Sequence, residues 1–175
     1  MVENSNASEP ATSAAQGRAD VLLVCSTGGH LLQLVALRDA WEGFSRVWVT
    51  FDKSDARSLL ADERVTFARG PTNRNFGLLA VRNLVRNGVL AFRLVRAERP
   101  KVVLTTGAGV AVPFAWVGRL LGARVVYVES LTRIDHPSLS CRLIAPVATR
   151  IYAQWPELTR AVPRARYLGS VVSGS

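Results

Sequence analysis

The chain has 175 residues, 49% of them hydrophobic, with 22 Lys+Arg against 13 Asp+Glu and a formal net charge of +9. That length suits one α/β domain with a substantial core and hardly two, and no stretch reaches the roughly 18 consecutive apolar residues of a membrane-spanning helix. Cys25 and Cys141 form no metal or redox spacing. The basic balance leaves three partners open: nucleic acid, an anionic membrane or a phosphorylated substrate.

Residues 1–19 are rich in Ala, Ser, Asn and Glu. They carry neither a basic leader nor an apolar run, so a disordered tail is expected there rather than a signal peptide or anchor. Asp20–Cys25 reads as a strand buried on both faces, because it is almost continuously apolar. Ser26-Thr27-Gly28-Gly29 is a turn and Leu31–Trp41 a helix with leucines at helical spacing. Arg46–Phe51 is the second strand, followed by a short helix to Asp62 that Ser54 or Asp55 would cap. Val65–Ala68 is a third strand and Gly70–Phe76 a loop. A long helix spans Gly77–Arg99, stopped by Pro100. Then follow strand Lys101–Thr105, helix Val110–Leu121, strand Arg124–Glu129, helix Leu139–Ala148, strand Thr149–Ala153, short helix Pro156–Ala161 and strand Ala165–Leu168. Strands alternating with helices predict a single Rossmann-like α/β domain over residues 20–172, with a mainly parallel sheet and right-handed crossovers. Residues 173–175 are a short tail.

The two glycine turns carry the first candidate sites. Thr27, Gly28 and Gly29 end the first strand, and Thr106, Gly107, Ala108 and Gly109 end the fourth. Backbone N–H groups at a following helix start suit a phosphate or a developing anion, and close strand–helix packing is the competing explanation. STGGH is not a dinucleotide fingerprint, and no acid ends the second strand to hold a ribose. His30 stands at a helix N-terminus, where the neutral imidazole is favoured and can take a proton from a hydroxyl, unless it merely caps the helix. Glu129 ends a strand and would bind sugar hydroxyls or orient His30. Arg133, in the loop after it, would pair with a phosphate, and a solvated loop with local pairing is the competing explanation. Arg82, Arg86, Arg93 and Arg96 lie near one side of the long helix, among leucines, valines and Phe92. A solvated face over a core stripe competes there with a helix lying in an anionic membrane interface. Nucleic acid finds neither stacking positions nor a recognition-helix motif.

The segments STGGHLLQL, FDKSDA, RNFGLLAVRNLVRN, PKVVLTTGAGVAVPFAWVGRLLGARVVYVESLTRIDHPSLS, AQWPEL and YLGSVV resemble bacterial capsular and exopolysaccharide proteins. They also resemble the membrane-anchoring subunit of the eukaryotic two-subunit N-acetylglucosaminyltransferase that elongates dolichol-linked sugar. A more distant likeness is to the acceptor half of the transferase that makes the lipid-linked peptidoglycan precursor. The resemblance implies the N-terminal, acceptor-side half of a GT-B glycosyltransferase, working without a bound metal or cofactor. A second small subunit would bind the nucleotide sugar, expected to be UDP-linked, and a polyprenyl-diphosphate-linked sugar would be the acceptor. His30 would be the base, with Glu129 beside it. Thr27, Gly28, Gly29, Thr106, Gly107, Ala108, Gly109 and Arg133 would hold the acceptor and its diphosphate. The segment Tyr167, Leu168, Gly169, Val171 and Val172 would dock on the partner. Eukaryotic relatives carry a hydrophobic anchor that has no counterpart here, so the expected location is peripheral, on the cytoplasmic face of the inner membrane. The alternative is a scaffold that binds lipid-linked sugar and tethers its partner without taking part in chemistry.

Overall fold

The structure is a computed structural model that describes residues 17–70, 72 and 77–171. Its strands are β1 (Val21–Val24), β2 (Arg46–Phe51), β3 (Val65–Ala68), β4 (Val102–Thr105), β5 (Arg124–Val128), β6 (Arg150–Ala153) and β7 (Ala165–Tyr167). They form one sheet in the order β3-β2-β1-β4-β5-β6-β7, parallel at every pairing. The chain steps from β1 outward to β3, then crosses back to β4 on the other side of β1. Val24 therefore has Val49 as one neighbour and Thr105 as the other. An order reversal of this kind leaves a crevice outside the carboxyl ends of the two central strands.

The helices are α1 (Gly29–Ala36), α2 (Ser54–Leu59), α3 (Gly77–Glu98), α4 (Ala111–Leu120), α5 (Leu139–Ile144) and α6 (Leu158–Ala161). β1 is buried at all four positions and feeds both faces of the sheet. Val21 and Leu23 meet Leu31 and Leu34 of α1 and Ala56 of α2, while Leu22 and Val24 join Ala91 and Val95 of α3 with Phe114 of α4. This two-sided burial is what a continuous apolar run requires of a central parallel strand. The chain is already packed at Ala19, whose N–H donates to Glu98 (2.8 Å).

Several helix ends differ from the expected ones, each for a local reason. The first helix stops at Ala36 and gives way to a 3-10 turn at Arg38–Ala40 instead of running to Trp41. Trp41 turns back into the core, where its indole N–H donates to the Leu34 carbonyl (2.9 Å) and its ring meets Trp48 edge-on at 5.2 Å. α5 stops at Ile144 rather than Ala148, and the Arg164 guanidinium takes up the Ala145 and Ala148 carbonyls beyond it. Neither Ser54 nor Asp55 caps α2, whose N-cap is Lys53 with no side-chain bond. Asp55 has another use, described below. α4 lies so close to β4 that a Cβ on Gly118 would stand 2.6 Å from Val103 Cγ2.

α3 is built inside out for a surface helix. Its buried stripe is Ala80, Asn83, Asn87, Ala91 and Val95, and its large apolar side chains point outward, Leu78 at 84% exposure and Val85 at 63%. Val81, Val89 and Phe92 are exposed with them. The small residues let the helix sit close to the fold, and only two of the five stripe positions are polar enough to need partners.

Candidate functional site

The crevice between β1 and β4 is where the two glycine turns meet. Gly28 opens the first with φ 73°, a conformation that glycine adopts without strain. This directs the chain into α1 with His30 in its first turn. His30 is half-buried, and its Nδ1 lies 2.8 Å from the Thr106 carbonyl. A carbonyl only accepts, so Nδ1 carries the proton and Nε2 keeps its lone pair. The Thr106 hydroxyl returns a bond to the His30 carbonyl, also at 2.8 Å. Two elements from opposite sides of the switch point thus hold one imidazole in one tautomer. Burial pushes the His30 pKa below its ordinary 6.5, outweighing the Thr106 carbonyl and the Glu129 charge that act the other way. At neutral pH His30 is an uncharged base.

His30 lines a cavity of about 660 Å³ with two kinds of wall. One is apolar, from Ala80, Val81 and Leu84 of α3, Val112 of α4, and Leu139 and Leu143 of α5. The other is polar, with Ser130, Thr132, Arg133, Ser138 and Ser140 from the segment after β5. Arg133 is exposed, and among the described residues its guanidinium has no acidic partner.

Glu129 is placed beneath this segment rather than in the cavity. It is fully buried, and its oxygens accept from the Tyr127 hydroxyl (3.0 Å), the Ser130 N–H (2.8 Å) and the Ser138 N–H (2.9 Å). The expectation that it orients His30 or meets sugar hydroxyls is therefore not what the geometry shows. Thr106 orients the imidazole, and Glu129 secures the loop that carries Arg133. Gln33 braces the same loop, donating to the Glu129 carbonyl (2.7 Å) and accepting from the Leu131 N–H (3.3 Å). Ser138 caps α5 through the Cys141 N–H, as its position implies.

The glycine turns are less open to an anion than their composition indicates. The Gly28 N–H already donates to Asp55 Oδ2 at 2.7 Å, so a carboxylate of the chain occupies the first turn. In the second, the Gly107 N–H donates to Thr105 Oγ1 (2.9 Å) and a Cβ there would meet the Tyr127 hydroxyl at 2.8 Å. Gly107 and Ala108 both have positive φ, 102° and 71°. Such strain in a non-glycine residue persists only where its surroundings enforce it. Close packing thus accounts for Thr106, Gly107 and Gly109, since a Cβ on Gly109 would stand 2.8 Å from the Thr72 carbonyl oxygen, while Ala108 lines a second cavity.

Arg82, Arg86, Arg93 and Arg96 are exposed on α3 beside its outward apolar face, away from the cavity's polar wall. Leu168 stands out at 77% exposure beyond the edge strand β7, with Tyr167 before it and Gly169 at φ 111°. The Val171 N–H is held by Gln154 Oε1 (3.0 Å), and Val172 lies outside the described residues. Sequence reasoning missed Gln33 and Tyr127. Gln33 left a trace, a lone amide three residues after His30 on an otherwise apolar helix face. Tyr127 sits in a strand that reads as plain hydrophobic core.

A parallel α/β sheet with its site at the switch point defines a Rossmann-like α/β domain, similar in fold to one half of GT-B glycosyltransferases. Solved structures agree on the fold. Acinetobacter baumannii MurG superposes with a TM-score of 0.64 at 20% identity, over 79% of this chain and 42% of that one. A Rickettsia bellii UDP-N-acetylglucosamine 2-epimerase gives 0.67 at 11% identity, over 89% and 46%. The chain spans less than half the length of either.

The family itself is marked in the sequence. Residues 21–171 match the Alg14-like oligosaccharide biosynthesis proteins, and the chain belongs to that family. Similar relatives include the UDP-N-acetylglucosamine transferase subunit ALG14 of Debaryomyces hansenii, 28% identical over 87% of this chain and 76% of the relative. The Homo sapiens subunit of the same name is 25% identical over 87% and 82%. These relatives speak for oligosaccharide biosynthesis and lend capsule or exopolysaccharide synthesis no support. No helix among the described residues is long and apolar enough to cross a membrane.

Proposed function

We propose that this chain is the acceptor-binding, membrane-recruited subunit of a two-subunit glycosyltransferase acting on a polyprenyl-diphosphate-linked sugar. The observation that carries this reading is His30, held neutral with Nε2 available, at the polar end of a cavity whose other wall is apolar and continuous with the outer face of α3. A lipid-linked sugar has the same division into apolar chain, anionic diphosphate and hydroxylated head. Arg133, with Gly109 lining the same cavity, supplies the charge and backbone for the diphosphate, and Ser130, Thr132 and Ser140 offer hydroxyls to the sugar. The partner subunit brings the nucleotide sugar, expected to be UDP-linked, over the same crevice.

In the transfer step His30 Nε2 takes the proton of the acceptor hydroxyl as that oxygen attacks the anomeric carbon. The bond from that carbon to the donor phosphate breaks, and the nucleoside diphosphate leaves with the bonding pair. Thr27, Gly28 and Gly29 serve by placing His30. Leu78, Val81, Val85 and Phe92 enter the interface of an anionic membrane, with Arg82, Arg86, Arg93 and Arg96 at the headgroups. Tyr167, Leu168, Gly169, Val171 and Val172 form the docking edge for the partner.

The test is sugar transfer to a polyprenyl-diphosphate acceptor by the chain with its partner, wild type against His30→Ala. Removing a general base lowers turnover by about 10²–10⁴-fold, with complex formation and lipid binding unchanged. Retained turnover would leave the chain as a scaffold that tethers its partner and performs no chemistry.

A further inference from the structure

The polar wall of the cavity contains a chain of hydroxyls that runs from the buried Glu129 carboxylate out to Ser140. Tyr127 Oη lies 3.0 Å from Glu129 Oε1 and 3.0 Å from Ser138 Oγ. Ser138 Oγ lies 3.1 Å from Ser140 Oγ, which in turn stands 3.5 Å from Tyr127 Oη. Ser138 Oγ also accepts from the Cys141 N–H at 3.0 Å. The second glycine turn closes over these groups, for a Cβ on Gly107 would stand 2.8 Å from Tyr127 Oη and 3.3 Å from Ser140 Oγ. Tyr127 and Glu129 are buried, while Ser138 and Ser140 are half-buried and line the cavity.

Each hydroxyl has one proton, so the direction of this chain follows from counting protons. The Glu129 carboxylate only accepts, and it already takes the Ser130 and Ser138 N–H groups, one on each oxygen. Tyr127 spends its proton on Glu129 and can only accept from the serines. If Ser138 donates to Tyr127, its proton is used, and Ser140 must donate to Ser138. If Ser138 donates to Ser140 instead, the buried Tyr127 oxygen is served only by the Ser140 proton. Both arrangements turn the Ser140 proton inward and leave an Oγ lone pair for the cavity.

We infer that Ser140 determines specificity as an obligate hydrogen-bond acceptor, taking an O–H or N–H of the acceptor's sugar head and rejecting its diphosphate. A diphosphate diester presents only acceptor oxygens, which meet a lone pair at Ser140 and gain nothing there. Sugar hydroxyls and an acetamido N–H present donors. The lipid-linked sugar thereby has one direction in the cavity, with its head at Ser140 and its diphosphate at the Arg133 guanidinium. Glu129 and Tyr127 touch no ligand and are positioning residues that act through Ser140. This assignment rests on the cavity being the acceptor site.

The experiment measures binding of three lipids in detergent to the full chain. They are farnesyl methyl diphosphate, farnesyl diphosphoryl glucose and farnesyl diphosphoryl N-acetylglucosamine. The first keeps the diester charge without any donor, the second offers O–H groups and the third adds an N–H. Wild type is compared with Ser140→Ala, Tyr127→Phe and Arg133→Ala. At least one sugar-headed lipid should bind wild type more tightly than the methyl-capped lipid. Ser140→Ala should remove about three- to tenfold of that advantage and leave the methyl-capped lipid unchanged. Tyr127→Phe releases the Ser140 proton towards the cavity, so the gap between headed and capped lipids should narrow there too. Ser140→Ala that weakens all three lipids alike, or none, overturns the inference, as does Tyr127→Phe with wild-type discrimination. The acceptor-site reading is judged separately by Arg133→Ala, which should weaken all three lipids alike. If wild type binds none of them, or Arg133→Ala binds all as well as wild type, both readings fall. Parallel loss in Arg133→Ala without a selective loss in Ser140→Ala keeps the acceptor site and overturns the role of Ser140 alone.

Discussion

Replacing Glu129 by glutamine tests whether one buried carboxylate holds the loop that forms the cavity's polar wall. The two side chains have the same shape, so no cavity is created and only the bonding changes. The carboxylate accepts three bonds, two of them from the backbone N–H groups of Ser130 and Ser138 on different oxygens. A glutamine amide has one oxygen and one NH2. Whichever way it is turned, its NH2 faces one of those two N–H donors, and that buried donor loses its acceptor. The remaining bonds become neutral rather than charge-assisted, which roughly halves their strength. An unsatisfied buried donor costs about 1–3 kcal/mol, so the total is about 2–3 kcal/mol after the weakened bonds are added. For a domain of this size that lowers Tm by about 4–12 °C. Urea unfolding followed by tryptophan fluorescence should show a lower midpoint at unchanged slope. An unchanged midpoint would refute the argument, because the loop would then be held without the carboxylate's acceptor geometry. Tyr127→Phe removes a single hydroxyl from the same network and should cost less than Glu129→Gln.

Gly118→Ala drives a methyl into Val103 Cγ2 at 2.6 Å and should cost about 1–3 kcal/mol by overpacking. Adding Val103→Ala should recover part of the loss, and a neutral Gly118→Ala would show that α4 shifts freely on β4. Because burial lowers the His30 pKa from 6.5, the unfolded chain takes its proton first as pH falls. The associated stability is therefore present above pH 6.5 and lost as pH falls through the folded-state value. The urea midpoint of wild type should drop more steeply towards acid than that of His30→Gln, and parallel profiles would argue against a buried neutral imidazole. Burial pushes both Cys25 and Cys141 thiols up to about 12. A thiolate-requiring reagent at mild alkaline pH should label them only as the chain unfolds, and rapid labelling of the native protein would contradict their packing.

Much of this architecture is written locally. The apolar run Val21–Val24, the glycine after it and the alternation of strands with helices lead to a parallel sheet, because each depends on burial and backbone freedom within a few residues. The location of His30 and of the Gly107 turn at strand ends follows from the same pattern. The outward apolar face of α3 was legible only as an apolar arc too wide for one stripe. Which part of that arc turns inward was decided by tertiary packing, where Ala80, Ala91 and the amides of Asn83 and Asn87 fit against the fold and the larger side chains do not.

The partners of the site residues belong wholly to the tertiary structure. His30 meets Thr106 across 76 positions, Gly28 meets Asp55 across 27, and Gln33 meets Glu129 across 96. No local pattern encodes such pairs, since a hydrogen bond depends on ångström distances that the strand order alone brings about. For that reason Glu129 reads in sequence as a strand-end acid for substrate and proves to be the anchor of a loop. The sequence by itself settled the kind of sheet and the edge that carries the chemistry. The crossing of the chain from β3 to β4 decided which side chains meet there, because it sets the two glycine turns on adjacent strands and opens the trough between them.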